Sequence, residues 1–488
     1  MAVLDNLEPK HVFSYFEEIC AIPHGSGNTG KLREYLIAFA KEHQLSYHAD
    51  EYGNIVILKS GSKGCEELPP VILQGHMDMV CEKNYEYAGR HDFSRDGLKL
   101  AVMDDYIYAK GTTLGGDDGI AVAYMLAVLS DETLVHPPIE AVFTTDEEIG
   151  MVGAKAFDTS VLKGTKLINL DNEVEGEILT SSAGGRMIHC EVPVRYTTKS
   201  GLKYNIVICG LQGGHSGTEI DKCLGNANLL MGRLLHYLSK HLNFELCSIN
   251  GGLMDNAIPR EAKAEILISE KNAYELEDCV AQFEATIQHE YRKIEQNITI
   301  YCESDEKTTK KVLTPKTKER VIFLLMTIPD GVQKKSPDQN NLVQTSSNVG
   351  IMHLREKSFE LIISIRSSVT SEKEALSDKM KYLTETIGGT FTLESDYPAW
   401  EYRADSPLRE MVFDTYQSQF GRNPRFTGIH AGLECGIFYE KIKNLDMISF
   451  GPDIDDIHTP REKLSIESAK RTWEFLIAIL NDLTRHIL

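Results

Sequence analysis

Histidines and carboxylates follow short apolar runs at widely separated places in this chain. Residues 71–74 run into Gly75-His76-Met77-Asp78, and residues 139–144 into Thr145-Asp146-Glu147-Glu148-Ile149-Gly150. Residues 166–170 run into Asp171-Asn172-Glu173. Residues 447–450 run into Gly451-Pro452-Asp453, with Ile457-His458-Thr459-Pro460 close behind. A further polar turn, Gly115-Gly116-Asp117-Asp118-Gly119, opens an apolar helical run. Mixed imidazole and carboxylate ligation suits Zn2+, Mn2+ or Co2+ and not a soft thiolate site. Asp117, Glu148 and Asp171 carry about three negative charges at neutral pH; two divalent ions and one hydroxide would balance them. Asp78 stands two residues after His76, on the same face of an extended segment. From there it can hold the far imidazole nitrogen and fix its tautomer.

Each of these signals has an ordinary reading by itself. Asp117 can cap a helix, Glu147 and Glu148 can open one, and Asp171 can close a turn. His76 and His458 can be structural. Their joint position decides between the readings. Open α/β sheets place ligands outside the carboxyl ends of their strands, where residues distant in sequence converge.

The elements that would bring them there are readable from periodicity. Helices are predicted over 12–22, 30–44 and 120–130, and strands over 71–74, 139–144 and 166–170. Alternation of the two implies a mostly parallel sheet with helices on its faces. The middle of the chain changes character: a strand at 204–209, a helix at 226–240, strands at 244–250 and 261–269, and a helix at 273–293. That order then returns as a helix at 317–327, strands at 342–354 and 358–364, and a helix at 371–387. Residues 303–315 read as a polar connector between two related units lying side by side. From residue 394 the first pattern resumes, with a helix at 408–419, a strand at 447–450 and a closing helix at 466–488. The expected architecture is α/β: a mostly parallel-sheet catalytic domain built from residues 1–187 and 391–488, interrupted by an inserted α+β lid, 188–390, made of two similar halves.

With 488 residues and a formal net charge of -21, such a surface repels phosphate backbones and anionic membranes. It suits a small substrate. The ten cysteines include no C-x-x-C pair and read as free thiols of a reducing compartment. The first ten residues carry no apolar signal core. The longest apolar stretch, near 120–129, is far short of the roughly 20 residues a bilayer needs. Cytoplasm is the expected compartment. No G-x-x-x-x-G-K-[ST] phosphate loop is present.

As an ordered set the motifs are similar to those of the metallopeptidases that include aminoacylase, carnosinase and glutamate carboxypeptidase. The carrying segments are Gln74-Gly75-His76-Met77-Asp78-Met79-Val80, Leu114-Gly115-Gly116-Asp117-Asp118-Gly119, His136-Pro137-Pro138-Ile139-Glu140 running on to Glu147-Glu148-Ile149-Gly150, Leu170-Asp171-Asn172-Glu173, Gly213-Gly214-His215-Ser216-Gly217, and Asp456-Ile457-His458-Thr459-Pro460. The resemblance implies two metal ions per chain, Zn2+ first and Mn2+ or Co2+ as alternatives. His76, Asp117 and Asp171 would hold one. Asp117, Glu148 and His458 would hold the other, with Asp117 bridging and Glu173 a substitute for Asp171. It makes Asp78 the carboxylate behind His76 and Glu147 the general base. It implies hydrolysis of dipeptides, Xaa-His and other unblocked ones among them, with tripeptidase, aminoacylase and carboxypeptidase activities as alternatives on the same centre. A non-catalytic relative should have lost ligands or base, and here all are present. A homodimer is among the assemblies it allows. His215 resembles the histidine that reaches the reacting carbonyl, from its own chain or from a partner subunit. Arg366, just after the strand at 358–364, suits a bidentate grip on the substrate carboxylate. Asn256 and Asn348, at similar places in the two half-repeats, resemble positions that touch substrate. Glu434, in His430-Ala431-Gly432-Leu433-Glu434-Cys435-Gly436, resembles the motif near the substrate amine.

Overall fold

A computed structural model describes residues 3–87 and 89–485. The chain forms two compact units, one of Met1–Ser181, Tyr402–Gly428 and Leu433–Leu488, the other of Ser182–Glu401 and Ile429–Gly432.

The first unit is organised on an eight-stranded sheet. Its order is Ser46–Ala49, Ile55–Lys59, Ile139–Thr144, Val71–His76, Lys166–Asn169, Asp446–Ser449, Glu177–Ser182 and Arg425–Ile429. The four central strands, from Ile139–Thr144 to Asp446–Ser449, are parallel. The flanking pairings of Ile55–Lys59 and Glu177–Ser182 are antiparallel. The central strands Val71–His76, Ile139–Thr144 and Asp446–Ser449 are buried along their whole length, as expected of parallel strands covered on both faces. Register places His76 opposite Thr144 and Gln74 opposite Asn169, so three ligand-bearing loops start side by side. The Gly116–Ser130 helix is buried from Gly116 to Leu129. It shares a core with Phe13, Phe16 and Ile19 of the Lys10–Cys20 helix and with Leu476, Ile479 and Leu480 of the Ile466–Arg485 helix. The closing helix is described over Ile466–Arg485; its expected continuation to 488 lies outside the described residues. A small sheet of Ile454–Asp455, Lys463–Ser465, Tyr106–Ala109 and Leu100–Met103 anchors both ends of the His458 turn.

The second unit is a nine-stranded antiparallel sheet carrying two copies of a strand–helix–strand–strand–helix–strand unit. One copy runs Tyr196–Cys209, Ala227–His241, Phe244–Gly251, Ala262–Ile268, Ala273–Tyr291 and Thr299–Leu313. The other runs Gly184–Pro193, Pro315–Thr327, Val343–Leu354, Ser358–Ser367, Thr370–Thr386 and Thr390–Tyr397. The copies meet where Asn250 and Gly251 pair with His353 and Met352. The first copy is inserted after the first strand of the second, which is why the repeat in sequence begins only at its helix.

Two expectations change. Residues 303–315 are not a connector; Thr299–Leu313 is an edge strand paired along the Tyr196–Cys209 strand. Its Glu303, Asp305, Glu306, Lys307 and Lys311 are exposed, a composition that discourages further edge pairing and hides a strand from a reading based on apolarity. The unit boundaries fall after Ser181 and Glu401, not after 187 and 390. The Gly184–Pro193 and Thr390–Tyr397 strands pair with each other, so both belong to the second sheet.

Candidate metal centre

His76 closes the Val71–His76 strand and is buried. Its Nε2 lies 3.0 Å from Asp117 Oδ1, and its Nδ1 lies 3.0 Å from the Asp78 carbonyl and 3.5 Å from Asp78 Oδ1. Asp117 reaches His458 with its other oxygen, at 3.1 Å from Nε2, and Glu148 Oε1 lies 2.9 Å from the same nitrogen. The adjacent Asp118 turns away and accepts the His76 backbone N–H at 3.1 Å. Of the two aspartates in the glycine turn, Asp117 is therefore the one lodged between the imidazoles. The turn owes its shape to Gly115, at φ +66°; a Cβ there would stand 2.8 Å from Met79 Sδ. The Asp117–Asp118 peptide bond is cis.

Three sets of ligand atoms each lie within 4.8 Å of one another: His76, Asp117 and Asp171; Asp117, Glu148 and His458; and His76, Glu147 and Glu148. Asp78 supports them from behind. Its carboxylate accepts the backbone N–H of Glu147 at 3.0 Å, that of Glu148 at 3.3 Å and the Ser26 hydroxyl at 2.8 Å.

The electrostatics fit a cation-binding site. Burial, with Asp117 adding to it, pushes Asp171 up to about 7. Burial, with Asp117 and Asp171, pushes Glu173 up to about 8. Glu147 is raised well above its ordinary value, first by burial and then, against the pull of His76, by Asp171, Glu434 and Glu148. Burial opposes a proton on His76, but Asp117, Asp78 and Asp171 outweigh it and raise its pKa. His458 is held up to about 11 by Asp117 and Glu148. The site thus carries more buried negative charge than its side chains compensate, and carboxylate-plus-imidazole donors match borderline divalent ions.

The second unit gathers a different set. His215, in the short Gly214–His215 strand paired with Ala257–Ile258, accepts the backbone N–H of Thr218 at 3.1 Å and of Gly217 at 3.3 Å on Nδ1. Burial and Arg366 lower its pKa, so it is neutral, with its proton on Nε2. Arg366 lies within the Ser358–Ser367 strand, not after it. Its Nη1 donates to the Tyr397 hydroxyl at 2.9 Å, and its Nε is buried without a partner among the described residues. Asn348 donates to the carbonyls of Asp255 and Ala257 at 3.0 and 2.9 Å, so it braces the loop that carries the exposed Asn256.

Residues 72–482 match the family described as Peptidase family M20/M25/M40. The chain belongs to this family. It is 37% identical to the cytosol non-specific dipeptidase of Escherichia coli (strain K12), with 99% of both chains covered. The crystal structure of aminoacylhistidine dipeptidase from Vibrio alginolyticus matches with a TM-score of 0.91 at 35% identity, covering 98% of this chain and 97% of that one. Aminopeptidase PepT from Bacillus cereus shares the fold, with a TM-score of 0.56 at 16% identity and 98% and 99% coverage.

Three features of this M20 chain lie beyond what its motifs state: the hydrogen-bond chain behind Glu434, the place of His430, and Glu462. Glu434, fully buried, accepts from Gln74 Nε2 and Thr144 Oγ1, both at 2.6 Å. Gln74 in turn accepts from Asn169, whose Oδ1 accepts the Asp171 N–H at 3.3 Å. Glu434 Oε1 has no partner among the described residues, and burial raises its pKa to about 7. His430 lies 2.7 Å from the Ser346 hydroxyl and is driven down to about 3 by burial, with Arg366 adding to it. Its place four residues before Glu434 was the only signal available. Glu462 is buried against the Asp117 turn, and nothing in its local sequence marks it.

Proposed function

We propose that this M20 member is a metal-dependent dipeptidase acting on unblocked dipeptides, Xaa-His among them. His76, Asp117 and Asp171 would hold one divalent ion. Asp117, Glu148 and His458 would hold a second, with Zn2+ the first choice and Mn2+ or Co2+ accepted by the same donors. The observation that supports this most is the membership of Asp117 in both ligand sets. Bound ions would polarise the scissile carbonyl and bring the pKa of water toward neutrality.

The protein's own groups do the rest. Glu147 takes the proton of the attacking water and returns it to the leaving amine. Asp78 orients His76 and, through the two amides it accepts, the base and ligand at Glu147 and Glu148. His215 offers an Nε2–H to the developing oxyanion. Arg366 pairs with the substrate carboxylate. The unpartnered oxygen of Glu434 accepts the substrate ammonium, and Asn348 fixes the loop of Asn256. All ten cysteines are free, and no helix among the described residues is long and apolar enough to cross a membrane.

Assays of Ala-His and β-Ala-His against tripeptides and N-acyl amino acids, with and without a chelator, test this. Dipeptides should be cleaved with kcat/KM higher by about tenfold or more, because an N-acyl group leaves a buried carboxylate unpaired. The chelator should abolish turnover. Faster cleavage of N-acyl amino acids or tripeptides would contradict the substrate reading.

A further inference from the structure

We infer that Glu462 is a positioning residue that ties the loop of Asp117 to the turn of His458 and so sets the geometry of the second ligand set. Its carboxylate accepts four consecutive backbone amides: Leu114 N–H at 2.9 Å and Gly115 N–H at 3.2 Å on Oε2, and Gly116 N–H at 2.8 Å and Asp117 N–H at 3.4 Å on Oε1. The side chain is 3% exposed, so these amides are its replacement for water. A buried carboxylate receiving several N–H donors forms charge-assisted hydrogen bonds, stronger than neutral ones.

The other end of the residue is equally constrained. The Glu462 N–H donates to the Thr459 carbonyl at 3.0 Å. Thr459 Oγ1 donates to the Asp456 carbonyl at 2.8 Å and accepts the Arg461 N–H at 3.1 Å. Glu462 therefore belongs to the same turn as His458 while its carboxylate organises the loop that presents Asp117. No side chain in these loops does this in reverse: Asp117 spends its oxygens on His76 and His458. Room for the contact depends on Gly116, where a Cβ would meet Glu462 Oε1 at 3.3 Å.

The consequence is selective. The second set depends on the separation of the two loops through both Asp117 and His458. The first depends on it only through the shared Asp117, because His76 and Asp171 follow adjacent parallel strands. This inference rests on the two-ion reading above. The test is Co2+ titration of the metal-stripped chain, followed by visible absorption and calorimetry, for the parent, Glu462→Ala and Glu462→Gln. The parent should take two ions. Glu462→Ala should weaken both, with the larger loss, about 10–100-fold, at the second. Glu462→Gln, which retains one acceptor oxygen, should fall between, and it decides the matter if the alanine variant does not fold. The thermal midpoint of the metal-free Glu462→Gln chain should change far less than its affinity for the second ion. Two ions bound by Glu462→Gln at parental affinity with a parental spectrum would overturn the inference, as would equal weakening of both sites. Uptake of fewer than two ions by the parent itself would instead overturn the dinuclear reading and this inference with it.

Discussion

Asp78 shows how much one carboxylate can organise. It accepts the amides of Glu147 and Glu148 while standing 3.5 Å from His76 Nδ1. Asp78→Asn puts a donor where acceptors are needed and should lower metal affinity about 10–100-fold, read by calorimetric titration. Glu147→Gln keeps the shape and removes the proton acceptor. Its kcat should drop by about 100-fold or more with metal content unchanged by elemental analysis; near-parental turnover would remove Glu147 from the base role. Residue types and motif order made these positions readable from sequence alone. Glu462 was not readable, because its partners are backbone amides 345 to 348 residues away, and a backbone N–H leaves no mark in a sequence. Glu434 was readable only through a motif; the Gln74 and Asn169 chain behind it depends on strand register.

The same division holds for the elements. The central strands announced themselves because burial on both faces makes them continuous apolar runs, as in Ile139–Thr144 and Val71–His76. Edge strands did not. Thr299–Leu313 and Thr390–Tyr397 are largely solvent-facing, and their polarity reads as loop. Turn chemistry was legible at Gly115, whose φ of +66° is the conformation a side chain resists. Gly115→Ala costs about 1–2 kcal/mol for the left-handed backbone alone and drives a Cβ to 2.8 Å from Met79 Sδ. Its thermal midpoint should fall and Asp117 should lose its place, so metal affinity should fall too. A variant with parental stability and parental metal binding would show that the turn has other solutions.

At the scale of the whole molecule the two units answer to different chemistry. The second holds His215 and His430 neutral beside Arg366. His430 is driven down to about 3 by burial first and Arg366 second, against an ordinary value near 6.5. The folded state therefore binds fewer protons than the unfolded chain between those values. This contribution to stability is complete above about pH 6.5 and is lost as pH falls toward 3. At pH 4.5 the loss is about 2–3 kcal/mol at about 1.4 kcal/mol per unit. His430→Gln should show a shallower decline between pH 7 and 4.5 than the parent in parallel thermal scans; equal slopes would mean that His430 titrates normally. The two-unit organisation was legible because a repeated strand–helix pattern interrupts another, but the insertion of one repeat inside its twin follows from pairing alone.

The dinuclear reading is decided by stripping the protein of metal and returning Zn2+ in measured steps while following hydrolysis of Ala-His. Activity should be absent in the stripped chain and should rise to a plateau as the second ion per chain is added. Full activity in the stripped chain, or a plateau at a single ion, would contradict it.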